Sequence, residues 1–314
     1  MLQALRLPDT LTCGMAISAK DRGELLKLAR RIEAAGFDAI WTGDHISFPV
    51  PILESLTKLS FLAAVTERVR LGTSILLVPL RHPTVIAKMT ATIDVLSGGR
   101  FTLGIGVGGE FPHEFEACGI PVEERGKRTD LGIDIIRKLW TEDNVSYSSD
   151  IFNFGPVSID PKPIQKKGPP ILVGGRKGPT FRRAGQYGDG YISHMCSPDQ
   201  FARNLAAIDE QAVKFGRTDV SFESAAFLFA FLDDTYEKAL DRADATLSKM
   251  YATPFRDAAR KYTLLGTPEA MLEQLQAFAA KGARHFIFSV QGNEDAFIDA
   301  FDRTIRPGLA ALVR

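Results

Sequence analysis

Residues 69–107 read VRLGTSILLVPLRHPTVIAKMTATIDVLSGGRFTLGIGV, and this stretch decides the fold class. Val69 to Val78 reads as a strand, and within it Ile75-Leu76-Leu77-Val78 runs without hydrophobic–polar alternation, the pattern of a strand covered on both faces. Pro83 then opens a helix in which Ile86, Met89, Ile93 and Leu96 line one face, and Ser97-Gly98-Gly99 stops it. Phe101 to Val107 is a strand again. A strand, a helix and a second fully covered strand make one βα unit of a parallel sheet.

The same alternation runs outward in both directions. On the N-terminal side, Leu11 to Ile17 reads as a strand and Ser18, with Asp21 three residues on, as a cap for a helix faced by Leu25, Leu28, Ala29 and Ile32. Gly36 ends that helix, Phe37 to Thr42 is a strand, and a helix covers Glu54 to Thr66. On the C-terminal side, Leu131, Ile135 and Leu139 predict a helix over Glu124 to Thr141, followed by a Pro-rich strand pair and connector over 144–170. Strands follow at Ile171–Gly174, Gly190–His194, Val220–Phe231 and Arg284–Val290, separated by helices at Pro179–Gln186, Pro198–Phe215 and Tyr236–Met250 and one opened by Thr267-Pro268-Glu269. A terminal helix covers Asp295 to Leu312.

Eight strands, each followed by a helix, predict a (β/α)8 TIM barrel with insertions, in one domain spanning 1–314. The rival, an open doubly wound sheet, calls for a glycine-rich turn after the first strand, where Ser18-Ala19-Lys20 has no glycine.

The composition bounds the function. With 45% hydrophobic and 24% charged residues in 314, the chain is neither disordered nor collagenous nor a disulfide miniprotein. Thirty-eight basic residues balance thirty-eight acidic ones, so no bulk attraction to nucleic acid or an anionic membrane is expected. Cys13, Cys118 and Cys196 form no C-x-x-C pair, which fits a reducing cytoplasm better than a disulfide framework or a zinc site. The longest apolar run, Ile75 to Leu80, is far short of the ~20 residues needed to span a bilayer. Cytoplasmic localisation is the expectation.

In such a barrel, chemistry belongs to the loops that follow the strands. After the second strand stand Asp44 and His45, an acid–base pair or a loop cap with its satisfied neighbour. In the third strand, Gly72, Thr73 and Ser74 imply either close approach by a ligand or packing in the barrel taper. The fourth strand ends Gly104-Ile105-Gly106-Val107-Gly108-Gly109-Glu110, a formal G-x-G-x-x-G that lacks the context of a dinucleotide fingerprint. It reads better as backbone cleared for a flat ring, with Glu110 and Glu114 beyond it as pocket acids or solvated ones. After the fifth strand, Gly174-Gly175-Arg176-Lys177-Gly178-Pro179 precedes a helix, a combination suited to a phosphate. His194 ends the sixth strand as another candidate pocket group, whereas His82, His113 and His285 read as structural or surface residues. No histidine pair has metal-ligand spacing, and no nucleophile elbow or Walker loop occurs. A ring platform, a phosphate loop and no metal motif point to an organic cofactor.

The run Gly72 to Pro83, Ala91 to Arg100, Gly109-Glu110, Glu124 to Asp130, Pro161-Lys162-Pro163, Gly174-Gly175 and Gly188-Asp189-Gly190 resembles the bacterial luciferase-like flavin monooxygenase superfamily over nearly the whole chain. The resemblance implies a barrel binding FMN or the 8-hydroxy-5-deazaflavin coenzyme F420 at the strand C-termini. Asp44-His45 matches the deazaflavin branch, which implies an F420-dependent oxidoreductase moving a hydride to or from a small organic substrate. The alternatives are an FMN-dependent monooxygenase using reduced flavin and oxygen, and a non-catalytic flavin-binding barrel. By resemblance, a non-proline cis peptide falls at Ser74-Ile75, and the phosphate loop at Gly174, Gly175, Gly178 and Pro179. His45 and Glu110 match catalytic positions of the family's sugar-phosphate dehydrogenases, while Asp44, Ser74, Ile75 and Gly108 would hold the ring. The Trp that follows the Asp-His pair in those enzymes is absent, Phe48-Pro49-Val50 standing in its place. Family members are often homodimers, and the same is expected here.

Overall fold

In a computed structural model that describes residues 2–313, eight parallel strands close on themselves. They are β1 (Thr12–Ala16), β2 (Ala39–Thr42), β3 (Arg70–Thr73), β4 (Phe101–Gly106), β5 (Ile171–Gly174), β6 (Gly190–Ser193), β7 (Glu223–Leu232) and β8 (His285–Val290). Each pairs with its successor, and β8 returns to β1, pairing Phe286 with Cys13, which closes the barrel; the short strand Leu264–Gly266 adds on outside it, paired to the end of β7. The eight predicted strands are all present, and the chain is an α/β barrel.

Side chains fill the interior. Trp41 of β2 is fully buried in it, and Gly14 and Gly72 make the room: a Cβ would lie 2.5 Å from the indole at Gly14 and 2.4 Å at Gly72. Gly72 therefore serves barrel packing, the blander of its two readings. The indole N–H donates to His285 Nε2 at 2.9 Å, and Thr12 Oγ1 lies 2.7 Å from Nδ1. Burial, with Arg70 adding to it, pushes the His285 pKa down to about 3.

Helices ring the barrel, each following its strand: α1 (Arg22–Ala34), α2 (Ser55–Val65) and α3 (Pro83–Leu96) cover the first half. Asp21, not Ser18, caps α1, its carboxylate accepting from the Glu24 N–H. His82 caps α3, which settles its structural role.

Three stretches depart from expectation. The third strand is not continuous to Val78: it stops at Thr73, turns through a cis Ser74–Ile75 bond, resumes at Leu76–Leu77 and ends in a 3-10 turn over Val78–Leu80. The seventh strand is two pieces, Val220–Ser221 pairing with Leu5–Arg6 outside the barrel. The terminal helix is interrupted by a π turn over Phe301–Ile305. Short helices at Pro112–Ala117 (α4) and Arg256–Tyr262 were too brief for periodicity to register. Among the described residues, no helix is long and apolar enough to cross a membrane.

Candidate functional site

The loop after β2 is held by a buried ionic cluster. Both Asp44 oxygens are taken: Arg81 donates to Oδ2 at 2.7 Å and to Oδ1 at 2.8 Å, the Leu77 N–H to Oδ2 at 3.0 Å and Ser55 Oγ to Oδ1 at 3.0 Å. Arg81 also reaches Glu54 at 2.9 Å. Beneath it, burial pulls the Lys58 pKa down to about 8 against the opposing pull of Asp44 and Glu54, and its ammonium donates to the Ile17 carbonyl. The resemblance makes Asp44 a ring-holding group; in the fold its carboxylate is committed to four donors and turned from solvent. It anchors the loop that presents the next residue.

That residue is His45, 22% exposed, its ring stacked on Phe48 at 4.2 Å and edge-on to Phe111 at 5.4 Å. Nδ1 lies 3.0 Å from Oε2 of Glu114, whose side chain is 1% exposed. The other oxygen of Glu114 accepts from the N–H of Ile46 at 2.6 Å and of Ser47 at 3.0 Å. The acid brought to His45 is thus Glu114 of α4, whereas Glu110 stands exposed on the loop before it. Spacing alone could not choose between them: Pro112 starts a helical turn that points position 114 inward.

Gly106 of β4 and Gly174 of β5 are cleared for Ile75, and not directly for a ring, whereas Gly104 makes room for the Thr73 carbonyl. A Cβ on Gly106 would lie 1.7 Å from Ile75 Cδ1, and one on Gly174 2.6 Å from Ile75 Cγ2. After the cis Ser74–Ile75 bond, this side chain covers the strand ends, forming the floor of the mouth. Gly108, at φ +62°, backs onto Leu77 and Phe115 and turns the chain toward α4. The Ser74 and Thr42 hydroxyls are buried without a protein partner at neighbouring strand ends. Unpartnered buried hydroxyls suit a polar ligand lying on this floor.

Beyond β5, Gly175 has φ +139°, and a Cβ there would strike Thr180 Oγ1 at 2.4 Å. Tyr191 donates to the Gly175 carbonyl at 2.8 Å, fixing the loop. Helix α5 (Gly178–Tyr187) starts without a side-chain cap, leaving the Gly178 N–H free for a ligand, with Arg176 and Lys177 exposed beside it. Pro179 has no N–H and contributes only its fixed geometry.

On the far side, His194 Nε2 lies 3.5 Å from the Tyr251 hydroxyl, with Phe227 and Phe229 against the imidazole. Burial, then Arg176, pushes its pKa down to about 4, so it is neutral near pH 7. Burial, then the negative charge of Glu110, raises the Tyr251 pKa to about 12. The motifs that carried the resemblance are mostly scaffold: Asp130 binds Arg182 and Arg183, Asp189 binds Arg137 and the Ile171 N–H, and Arg100 donates to the Val69 and Thr66 carbonyls.

The strand C-termini of this closed (β/α)8 barrel thus carry an imidazole clamped by a buried acid and a glycine loop before an uncapped helix. The chain belongs to the luciferase-like monooxygenase family, whose model matches residues 8–309. It is 28% identical to an F420-dependent glucose-6-phosphate dehydrogenase of Amycolatopsis mediterranei, over 96% of this chain and 99% of that one. It is 31% identical to a 4-hydroxyprotoasukamycin monooxygenase of Streptomyces nodosus subsp. asukaensis, over 69% of this chain and 60% of the relative. An F420-dependent secondary alcohol dehydrogenase solved with an F420-acetone adduct superposes with a TM-score of 0.86 at 21% identity, covering 96% of this chain and 99% of that one.

Proposed function

We propose that this protein is an F420-dependent oxidoreductase acting on a small organic substrate at the mouth of its barrel. The observation that carries the reading is His45: a partly exposed imidazole held by a buried acid, its Nε2 without a partner among the described residues. The F420-dependent relative and the F420-dependent structural neighbour, each covering 96% of this chain, support the choice of coenzyme.

The residues present fit such a group. Ile75 offers an apolar floor, the Ser74 and Thr42 hydroxyls await polar partners, and the loop before Gly178 offers an uncapped helix start and two cations to a phosphate. When bound, the deazaflavin supplies a ring carbon that gives or accepts a hydride. The protein's part is binding, orientation and proton management. His45 Nε2 would take the proton of a substrate hydroxyl during oxidation and return it during reduction of the carbonyl. Phe48 and Phe111 flank that imidazole and keep bulk water from one side of it. Glu110, exposed on the loop before α4, would be a second proton-handling group for a substrate that reaches it. Aromatic side chains at 48, 111, 227, 251 and 255 favour an uncharged organic substrate over a sugar phosphate.

The second reading, an FMN-dependent monooxygenase, is favoured by the family's description and by the monooxygenase relative. Oxygen uptake separates the two, because a deazaflavin does not readily activate oxygen. With reduced coenzyme and substrate, the proposal expects turnover under anaerobic conditions and no stoichiometric oxygen consumption. It also expects His45→Ala to bind the coenzyme and lose turnover by about 100-fold. Undiminished turnover in that variant would remove His45 from the chemistry.

A further inference from the structure

Glu114 does more than fill space under the histidine loop. It lies on α4, a different element from His45, and reaches across to it with both oxygens occupied. Oε1 accepts two backbone N–H groups, Ile46 at 2.6 Å and Ser47 at 3.0 Å, which can only donate. Oε2 then faces Nδ1 of His45 at 3.0 Å. A carboxylate accepts and cannot donate, so a neutral imidazole facing it carries its hydrogen on Nδ1. The remaining nitrogen, Nε2, is left with a lone pair and no partner among the described residues. The rings of Phe48 and Phe111 prevent the imidazole from turning over to exchange its nitrogens.

We propose that Glu114 is a positioning residue that fixes His45 in the Nδ1–H tautomer, leaving Nε2 as the proton acceptor. The inference deepens the functional reading above and rests on it only where turnover is measured; the tautomer itself is a property of the protein alone. The Asp44–Arg81–Leu77 cluster sets where the loop runs, and Glu114 sets which nitrogen carries the hydrogen. The division of labour is that of a buried acid orienting a catalytic imidazole without itself touching substrate.

The informative variant is Glu114→Gln, which keeps shape and volume. Its amide oxygen must stay on the Ile46 and Ser47 N–H groups, because the amide NH2 there would face two donors. The NH2 then falls opposite Nδ1, which must accept, and the imidazole hydrogen moves to Nε2. A variant of purely structural effect would not make that exchange.

The test is 15N-histidine NMR of the protein without coenzyme at about pH 8.5, above the ordinary histidine range, with the His45 signals identified by their loss in His45→Asn. Wild type is expected to show the Nδ1–H tautomer, and Glu114→Gln the Nε2–H tautomer. Turnover should fall by about 100-fold or more in Glu114→Gln, with KM and coenzyme affinity within about threefold of wild type. An Nε2–H tautomer in the wild-type protein overturns the proposal even if no variant folds. So does a folded Glu114→Gln with an unchanged tautomer. Because the NMR arm needs no coenzyme, failure of the F420 reading shows separately, as absence of turnover in a wild type whose tautomer is as expected.

Discussion

Ile75 lies where a side chain on Gly106 would have to go. A Cβ at position 106 would come within 1.7 Å of Ile75 Cδ1 and 3.0 Å of its Cγ1, too close for either to stay. The floor of the barrel mouth is therefore a fitted pair, one residue contributing the side chain and the other its absence. Gly106→Ala is expected to cost about 1–3 kcal/mol of stability through overpacking and to weaken coenzyme binding by displacing the floor. Pairing it with Ile75→Ala relieves the clash, so the double variant should lose less stability than the sum of the singles. Denaturant unfolding of the four proteins reads the coupling.

The buried ionic cluster behaves as a unit. Asp44 has no exposed side-chain surface, and Arg81 supplies two of its four hydrogen bonds. Arg81→Met strips the guanidinium and leaves a buried carboxylate short of partners, which is expected to cost about 3–5 kcal/mol. Asp44→Asn with Arg81→Met should recover part of that loss. Urea unfolding at one fixed pH measures both.

Which parts were legible from sequence follows from these two clusters. The barrel was legible because parallel strands wrapped on both sides read as unbroken apolar runs, and glycine and proline mark the ends of α3. The cis bond at Ser74-Ile75 was legible by resemblance to a family, and the Gly174–Gly178 loop already from its glycines and two cations ahead of a helix. The partner of His45 was not, because Glu110 and Glu114 differ only in how α4 turns, and a six-residue helix leaves no periodic trace. Nor was the use of the glycines: Gly72 and Gly106 look alike in the sequence, yet one makes room for Trp41 at the barrel centre and the other for Ile75 at its mouth. Arg81 carried a signal, an arginine just before the proline that opens α3, but the carboxylate it serves lies thirty-seven residues earlier.

Acid should unfold the barrel from inside. The pKa of His285 is about 3 in the fold against an ordinary value of 6.5, so the unfolded chain binds the proton first as pH falls. Its stabilising contribution is complete above pH 6.5 and declines as pH drops toward 3, by about 1.4 kcal/mol per pH unit for one group. His194, at about 4, adds a similar slope between pH 6.5 and 4. His285→Gln should flatten the pH dependence of unfolding free energy by about one proton over this window. An unchanged slope would mean that His285 does not stay neutral in the fold.

The loop after β5 should tolerate no side chain at its second glycine. Gly175→Ala places a Cβ at φ +139° and 2.4 Å from Thr180 Oγ1, in backbone space that L residues rarely enter. The expected outcome is at least a tenfold loss of coenzyme affinity with little change in the far-ultraviolet circular dichroism. Arg176→Ala should weaken binding less, and the deficit should shrink at high salt because that side chain is exposed.

The most direct measurement is a titration of the purified protein with oxidised F420 and, in parallel, with FMN, following the fluorescence of each chromophore. The expected result is saturable one-to-one binding of F420, weakened in Gly175→Ala and retained in His45→Ala, with far weaker binding of FMN. Tight FMN binding with no response to F420 would contradict the proposed chemistry, and F420 binding indifferent to Gly175 would contradict its place on the barrel.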